Sequence, residues 1–103
     1  MTFTLLDDET YSVSLNSAYK NTIISIKIPS IYNEKPVSQI AESGFSQASK
    51  LTTVVIPDSV TSIGEYAFYD CTVLTSVNLG NGVLSIGESA FQYCQSLATI
   101  TLP

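Results

Sequence analysis

Residues 60–82 read VTSIGEYAFYDCTVLTSVNLGNG, and the same outline returns 23 residues later as VLSIGESAFQYCQSLATITLP and 23 residues earlier as VSQIAESGFSQASKLTTVVIPDS. A fixed period of this length marks a solenoid, in which each coil buries its apolar side only by stacking on its neighbours. Aligned by position, Val37, Val60 and Val83 form one column and Ile40, Ile63 and Ile86 another. Phe45, Phe68 and Phe91 follow, then Leu51, Leu74 and Leu97, then Val54, Val77 and Ile100, and last Ile56, Leu79 and Leu102. Each column is apolar in every copy, so each predicts a continuous stripe through the core.

The pattern resembles the leucine-rich repeats of the BspA-like bacterial surface-protein family, whose coil runs roughly V-x-x-I-G-x-x-A-F-x-x-C-x-x-L-x-x-I-x-I-P. One copy carries Ser62, Ile63, Gly64, Ala67, Phe68, Cys71 and Leu74 at the motif positions, and the next carries Ser85, Ile86, Gly87, Ala90, Phe91, Cys94 and Leu97. The first copy departs from it with Gln39, Ala41, Gly44 and Ala48, yet keeps the large apolar residues. The resemblance covers Val37 to Pro103. It implies an α/β repeat solenoid: a right-handed coil with a parallel β-sheet on one face, short helical turns on the other and an N-terminal β-hairpin cap. It also implies a bacterial origin, an extracellular or cell-surface location and adhesion to host matrix, plasma or neighbouring-cell proteins.

The expected organisation is an N-terminal cap over residues 1–36 and three repeats over 37–103, divided as 37–59, 60–82 and 83–103. Phe3 to Leu15 alternates apolar and polar residues on either side of Asp7, Asp8, Glu9 and Thr10, which predicts a β-hairpin covering the first coil. Thr22–Ser30 matches the strand half of a repeat, with Ile26, Ile28 and Pro29 standing where Val54, Ile56 and Pro57 stand later. Ser17–Asn21 reads as a polar connection and Ile31–Pro36 as a longer, irregular loop. Within a repeat, Leu74–Leu79 alternates as a short strand should. Ala67, Phe68 and Cys71 are spaced as on a single helical turn. The chain ends at Pro103 just after a strand half, so the open edge of the last coil is expected to be covered by further residues or by a second molecule, giving a homo-oligomer.

Composition narrows the chemistry. Nine acidic residues face four lysines and no arginine, a net charge of −5 that offers phosphate backbones nothing to neutralise, so nucleic acid is excluded as a partner. No stretch approaches the roughly 20 apolar residues of a membrane span, which rules out direct insertion of a helix. The start MTFTLLDDET lacks the basic and apolar segments of a signal peptide, so the export signal that the resemblance demands is expected to lie outside this sequence.

The chain has no histidine, the usual general base and commonest transition-metal ligand. Its serines and threonines have no activating partner beyond lysines that no motif accompanies. Gly80, Asn81 and Gly82 form a turn without the lysine of a phosphate loop. No catalytic, cofactor-binding or metal-binding residue is therefore assigned, and no cofactor is expected.

Cys71 and Cys94 share a column, which admits a disulfide between neighbouring coils; the favoured reading is two small buried thiols interchangeable with Ala48. Glu42, Glu65 and Glu88 form a carboxylate column, but calcium requires six to eight oxygens, and a solvated charge at the start of each turn fits better. Tyr32, Tyr66, Tyr69 and Tyr93 are either partner anchors or side chains leaning on the next coil. What remains for function is the outward side of the strands, where Ser25, Thr53, Ser76 and Thr99 make one column and Lys27, Val55, Asn78 and Thr101 another. Such a shallow face of small hydrogen-bonding groups suits an extended polypeptide or glycan, and protein is the expected partner class. The alternative is a structural spacer or self-assembling module that presents another domain.

Overall fold

The computed structural model of the protein describes residues 1–101, with Leu102 and Pro103, and hence the last member of the Ile56 column, outside the described residues. The strands are β1 (Thr2–Leu5), β2 (Tyr11–Ser14), β3 (Ser25–Lys27), β4 (Ile31–Tyr32), β5 (Lys35–Ile40), β6 (Thr53–Val55), β7 (Ser62–Ile63), β8 (Ser76–Asn78), β9 (Ser85–Ile86) and β10 (Thr99–Thr101). They coil into a solenoid in which each turn contributes one strand to each of two sheets. One sheet runs β3, β6, β8, β10, all parallel, with Ile26, Val54, Val77 and Ile100 at matching places. The other runs β2, β5, β7, β9 in parallel, pairing Val13, Ile40, Ile63 and Ile86, with β1 antiparallel to β2 from Thr2 opposite Ser14 to Leu5 opposite Tyr11.

The repeat spacing thus becomes contact. Phe45 and Phe68 are fully buried and stack at 5.3 Å between ring centroids, and Phe68 stacks on Phe91 at the same separation. Val37, Val60, Leu51, Leu74, Val54 and Val77 are buried to within about 1% of their surface, completing an apolar spine. Each such side chain contributes about 1.5–3 kcal/mol once removed from water.

Two expectations need correction. The helical turns predicted for Glu65–Cys71 and its counterparts do not form; among the described residues the one helical segment is a 3₁₀ turn at Ser17–Tyr19, inside what reads in sequence as a plain connection. Residues Ser43 and Gln47, Tyr66 and Asp70, and Ser89 and Tyr93 instead adopt left-handed backbone, with φ between 54° and 62°. A left-handed residue every fourth position breaks a helix and swings alternate N–H groups toward the next coil. Phe45 N–H donates to Ala67 C=O at 2.7 Å, Phe68 N–H to Ala90 C=O at 2.8 Å, and the N–H groups of Ser43, Gln47, Tyr66 and Asp70 repeat the pattern. The third side of the coil is therefore a ladder between turns, and its backbone polar groups are satisfied there.

The second correction concerns Ile31–Pro36. In place of an irregular loop, β4 and the start of β5 form a two-residue hairpin, Ile31 opposite Pro36 and Tyr32 opposite Lys35. Asn33 and Glu34 both have positive φ, the backbone that matches strand twist in such turns. Tyr32 stacks on Phe3 at 3.9 Å and meets Tyr11 edge-on, tying the hairpin to β1 and β2.

Candidate functional site

Three residues of β3, β6 and β8 decide which side of the first sheet is free. Ile26, Val54 and Val77 are 7%, 1% and 1% exposed, so the residues flanking them must point outward. Ser25, Thr53 and Ser76 stand side by side in the parallel register, as do Lys27, Val55 and Asn78. Lys27, Val55 and Asn78 are exposed. Thr99 and Thr101 continue the two rows along the backbone of β10. The structure brings the candidate residues into one sheet, with neighbouring strands about 4.8 Å apart.

The hydroxyl groups on this sheet divide into two kinds. Thr52 and Thr75, just before β6 and β8, donate their hydroxyls to the carbonyls of Ile24 and Thr52 in the preceding coil, each at 3.0 Å. Thr61 and Ser96 do the same elsewhere, onto Ser38 and Thr72. These hydroxyls hold coils together. By contrast, among the described residues the hydroxyls of Ser25, Thr53 and Ser76 make no hydrogen bond within the protein, which leaves them for water or a partner. The face carries one cation, Lys27, and no carboxylate.

The other features singled out in sequence are placed elsewhere. Cys71 and Cys94 are free thiols whose sulfurs each lie 3.1 Å from a carbonyl oxygen of the preceding coil, those of Phe45 and Phe68. Hydrogen bonding to Cys94 and then burial push the Cys71 thiol well above its ordinary range, while the same hydrogen bond pulls Cys94 down. Glu42, Glu65 and Glu88 are exposed, and no group of three or more acidic or sulfur side chains among the described residues is close enough to hold a metal. Tyr69 packs edge-on against Tyr66 of its own coil at 5.3 Å and Tyr93 of the next coil at 5.4 Å, so one of the two contacts supports the rings across coils. No helix among the described residues is long and apolar enough to cross a membrane.

A stacked coil with these columns can be compared with known families. Residues 11–103 match the family described as "BspA type Leucine rich repeat region", in six copies. The chain belongs to the BspA-type leucine-rich-repeat family. Solved bacterial proteins of similar fold include a leucine-rich-repeat protein of T. pallidum, at 32% identity and a TM-score of 0.86, over 99% of this chain and 47% of that one. A leucine-rich cell-surface protein of Faecalibacterium prausnitzii is also 32% identical, with a TM-score of 0.78, over 97% of this chain and 30% of that one. A leucine-rich-repeat protein of Bacteroides ovatus follows at 27% identity and a TM-score of 0.81, over 99% and 28% of the two chains. This BspA-type chain thus spans less than half the length of these relatives. None of the curated proteins matches it. Repeats of this class are in general protein-interaction scaffolds, and the match to the family begins at Tyr11, where β2 enters the parallel sheet.

Proposed function

We propose that this BspA-type chain is a non-enzymatic adhesion scaffold, part of a bacterial cell-surface or secreted protein, that holds host or neighbouring-cell proteins against the outward rows of β3, β6, β8 and β10. Residues 1–36 serve as the cap of the repeats in 37–103. The observation that carries this reading is the division among hydroxyls: those of Thr52 and Thr75 are spent on the preceding coil, whereas those of Ser25, Thr53 and Ser76 have no hydrogen-bond partner among the described residues and stand beside exposed Lys27, Val55 and Asn78. A flat row of small donors and acceptors, repeated every strand, reads an extended main chain better than it encloses a small substrate.

The test is binding of the chain to immobilised matrix and plasma proteins, before and after the double substitution Val55→Glu and Asn78→Lys. Both positions are exposed, so stability should change by no more than about 0.5 kcal/mol, while affinity should fall at least tenfold. Binding that survives the substitutions, or a wild-type chain that binds none of these proteins, contradicts the proposal. Either result favours the second reading, a structural spacer or self-assembling module that presents another domain.

A further inference from the structure

The same sheet has a second surface, its first edge. β3 pairs with β6 on one side, and among the described residues no strand pairs with it on the other. Thr52 N–H donates to Ile24 C=O, and Ile28 N–H to Val55 C=O, so residues 24, 26 and 28 direct their main-chain groups toward β6. In a parallel pair the intervening residues direct theirs the opposite way. Ser25 and Lys27 therefore present two N–H and two C=O groups along an edge that no described strand pairs, a template for one more strand.

Beside this edge lies a cavity of about 440 Å³, lined by Met1, Leu15, Tyr19, Ile23 and Ile26 together with the β3 residues themselves. Leu15 and Ile26 are 6% and 7% exposed and form a fixed apolar surface, while Tyr19 is 55% exposed. An extended chain turns alternate side chains to opposite sides. A strand added to β3 would thus bring an apolar side chain to the cavity while its main chain meets Ser25 and Lys27.

Charge selects among extended chains. The sequence has no acidic residue between Glu9 and Glu34 and none between Glu42 and Asp58, yet three of the four lysines, Lys20, Lys27 and Lys50, fall in those stretches. Ser49 N–H donates to Lys20 C=O at 3.0 Å, which brings the turn bearing Lys50 against the turn that precedes β3. Among the described residues the one ion pair is Lys35 with Glu9, so these three lysines have no carboxylate partner among those residues. In a chain of net charge −5, the β3 edge is a basic end.

We propose that β3 captures an extended acidic peptide segment of a partner protein, which joins the sheet through the main chain of Ser25 and Lys27 and seats an apolar side chain beside Leu15 and Ile26. Main-chain bonds supply the affinity in this mode, and the cavity and lysines supply the selectivity. The edge uses the main chain of Ser25 and Lys27, whose side chains also belong to the face rows, so Val55 and Asn78 report on the face alone and N-methylation of the peptide on the edge alone.

The test is titration of the full, isotope-labelled chain, followed by amide chemical shifts, with three blocked nonapeptides. One alternates leucine with glutamate, one alternates leucine with lysine, and one is the glutamate peptide N-methylated at every second residue, made in both registers. The acidic peptide should shift Ser25, Ile26 and Lys27 and bind at least tenfold more tightly than the lysine peptide. N-methylation in one register should weaken it at least tenfold and in the other much less. Lys27→Glu should lower its affinity at least fivefold, and Ser25→Pro, which removes an edge N–H while leaving the bonds to β6 intact, should abolish binding. Should Ser25→Pro fail to fold, the N-methylated pair decides. Equal binding of all peptides, shifts confined to Val55 and Asn78, or no shifts with millimolar acidic peptide would overturn the proposal.

Discussion

Cys71 shows how one side chain is fixed by the coil beneath it. It fills the place that Ala48 fills in the preceding coil, is fully buried, and has its sulfur 3.1 Å from Phe45 C=O. Its ordinary value near 9.0 is pushed well upward in the folded chain by the Cys94 hydrogen bond and by burial. A group raised on folding contributes stability that is complete below its unfolded value and is lost as pH climbs above it. The unfolded thiol ionises near pH 9 while folded Cys71 resists ionisation, so each further unit removes up to about 1.4 kcal/mol, less what Cys94, pulled down by the same hydrogen bond, gives back. Urea unfolding at pH 8.5 and pH 10 should therefore show a larger loss for the wild type than for Cys71→Ala, which keeps the small side chain already used at Ala48. Identical losses in the two proteins would contradict this account. The column itself was legible in the sequence, since Ala48, Cys71 and Cys94 share a repeat position, but spacing alone left a disulfide open. The carbonyls of Phe45 and Phe68, which receive the two thiols, carry no mark in the sequence.

Elements were legible wherever a side-chain alternation specifies them, and lost wherever the backbone alone decides. Ile26 and Val77 declared their strands through polar neighbours on both sides, and Val54 through its place in the same repeat column. Ala67, Phe68 and Cys71 fit a helical turn as well as they fit successive left-handed turns, and Tyr66 and Asp70 carry no residue signature of positive φ. The short strands β7 and β9 were missed because two residues are too few to alternate. Gly64 and Gly87, by contrast, are readable once the stack is known. A β-carbon on Gly64 would sit 2.7 Å from Glu42 N, and one on Gly87 2.5 Å from Glu65 N, both main-chain atoms of the coil beneath. At the matching place in the first repeat, Ala41 lies over β2, its N–H bonded to Val13 C=O, and a methyl group is accepted there. Gly64→Ala should accordingly destabilise the chain by about 1–3 kcal/mol, as overpacking does, measured by urea unfolding. A change below about 0.5 kcal/mol would mean that the coils are not in this close contact.

For the whole molecule, the 23-residue period carried the architecture, because a stripe of matching apolar residues has one economical arrangement: each coil on the last. The period did not reveal that the stack starts at β2, since Tyr11–Ser14 lacks the motif residues and announces itself only by pairing with β5. Nor did it reveal that all three sides of the coil are hydrogen-bonded between turns. That closure matters for function, because it fixes the spacing of the outward rows and leaves β3 as an edge without a neighbour among the described residues.

Scalar couplings transmitted through hydrogen bonds measure this closure directly. Couplings should join Phe45 N to the Ala67 carbonyl carbon and Phe68 N to the Ala90 carbonyl carbon, with none from the amides of Glu65–Cys71 to carbonyls four residues earlier. Helical couplings within that segment, with no coupling between coils, would contradict the stacked arrangement on which the binding face depends.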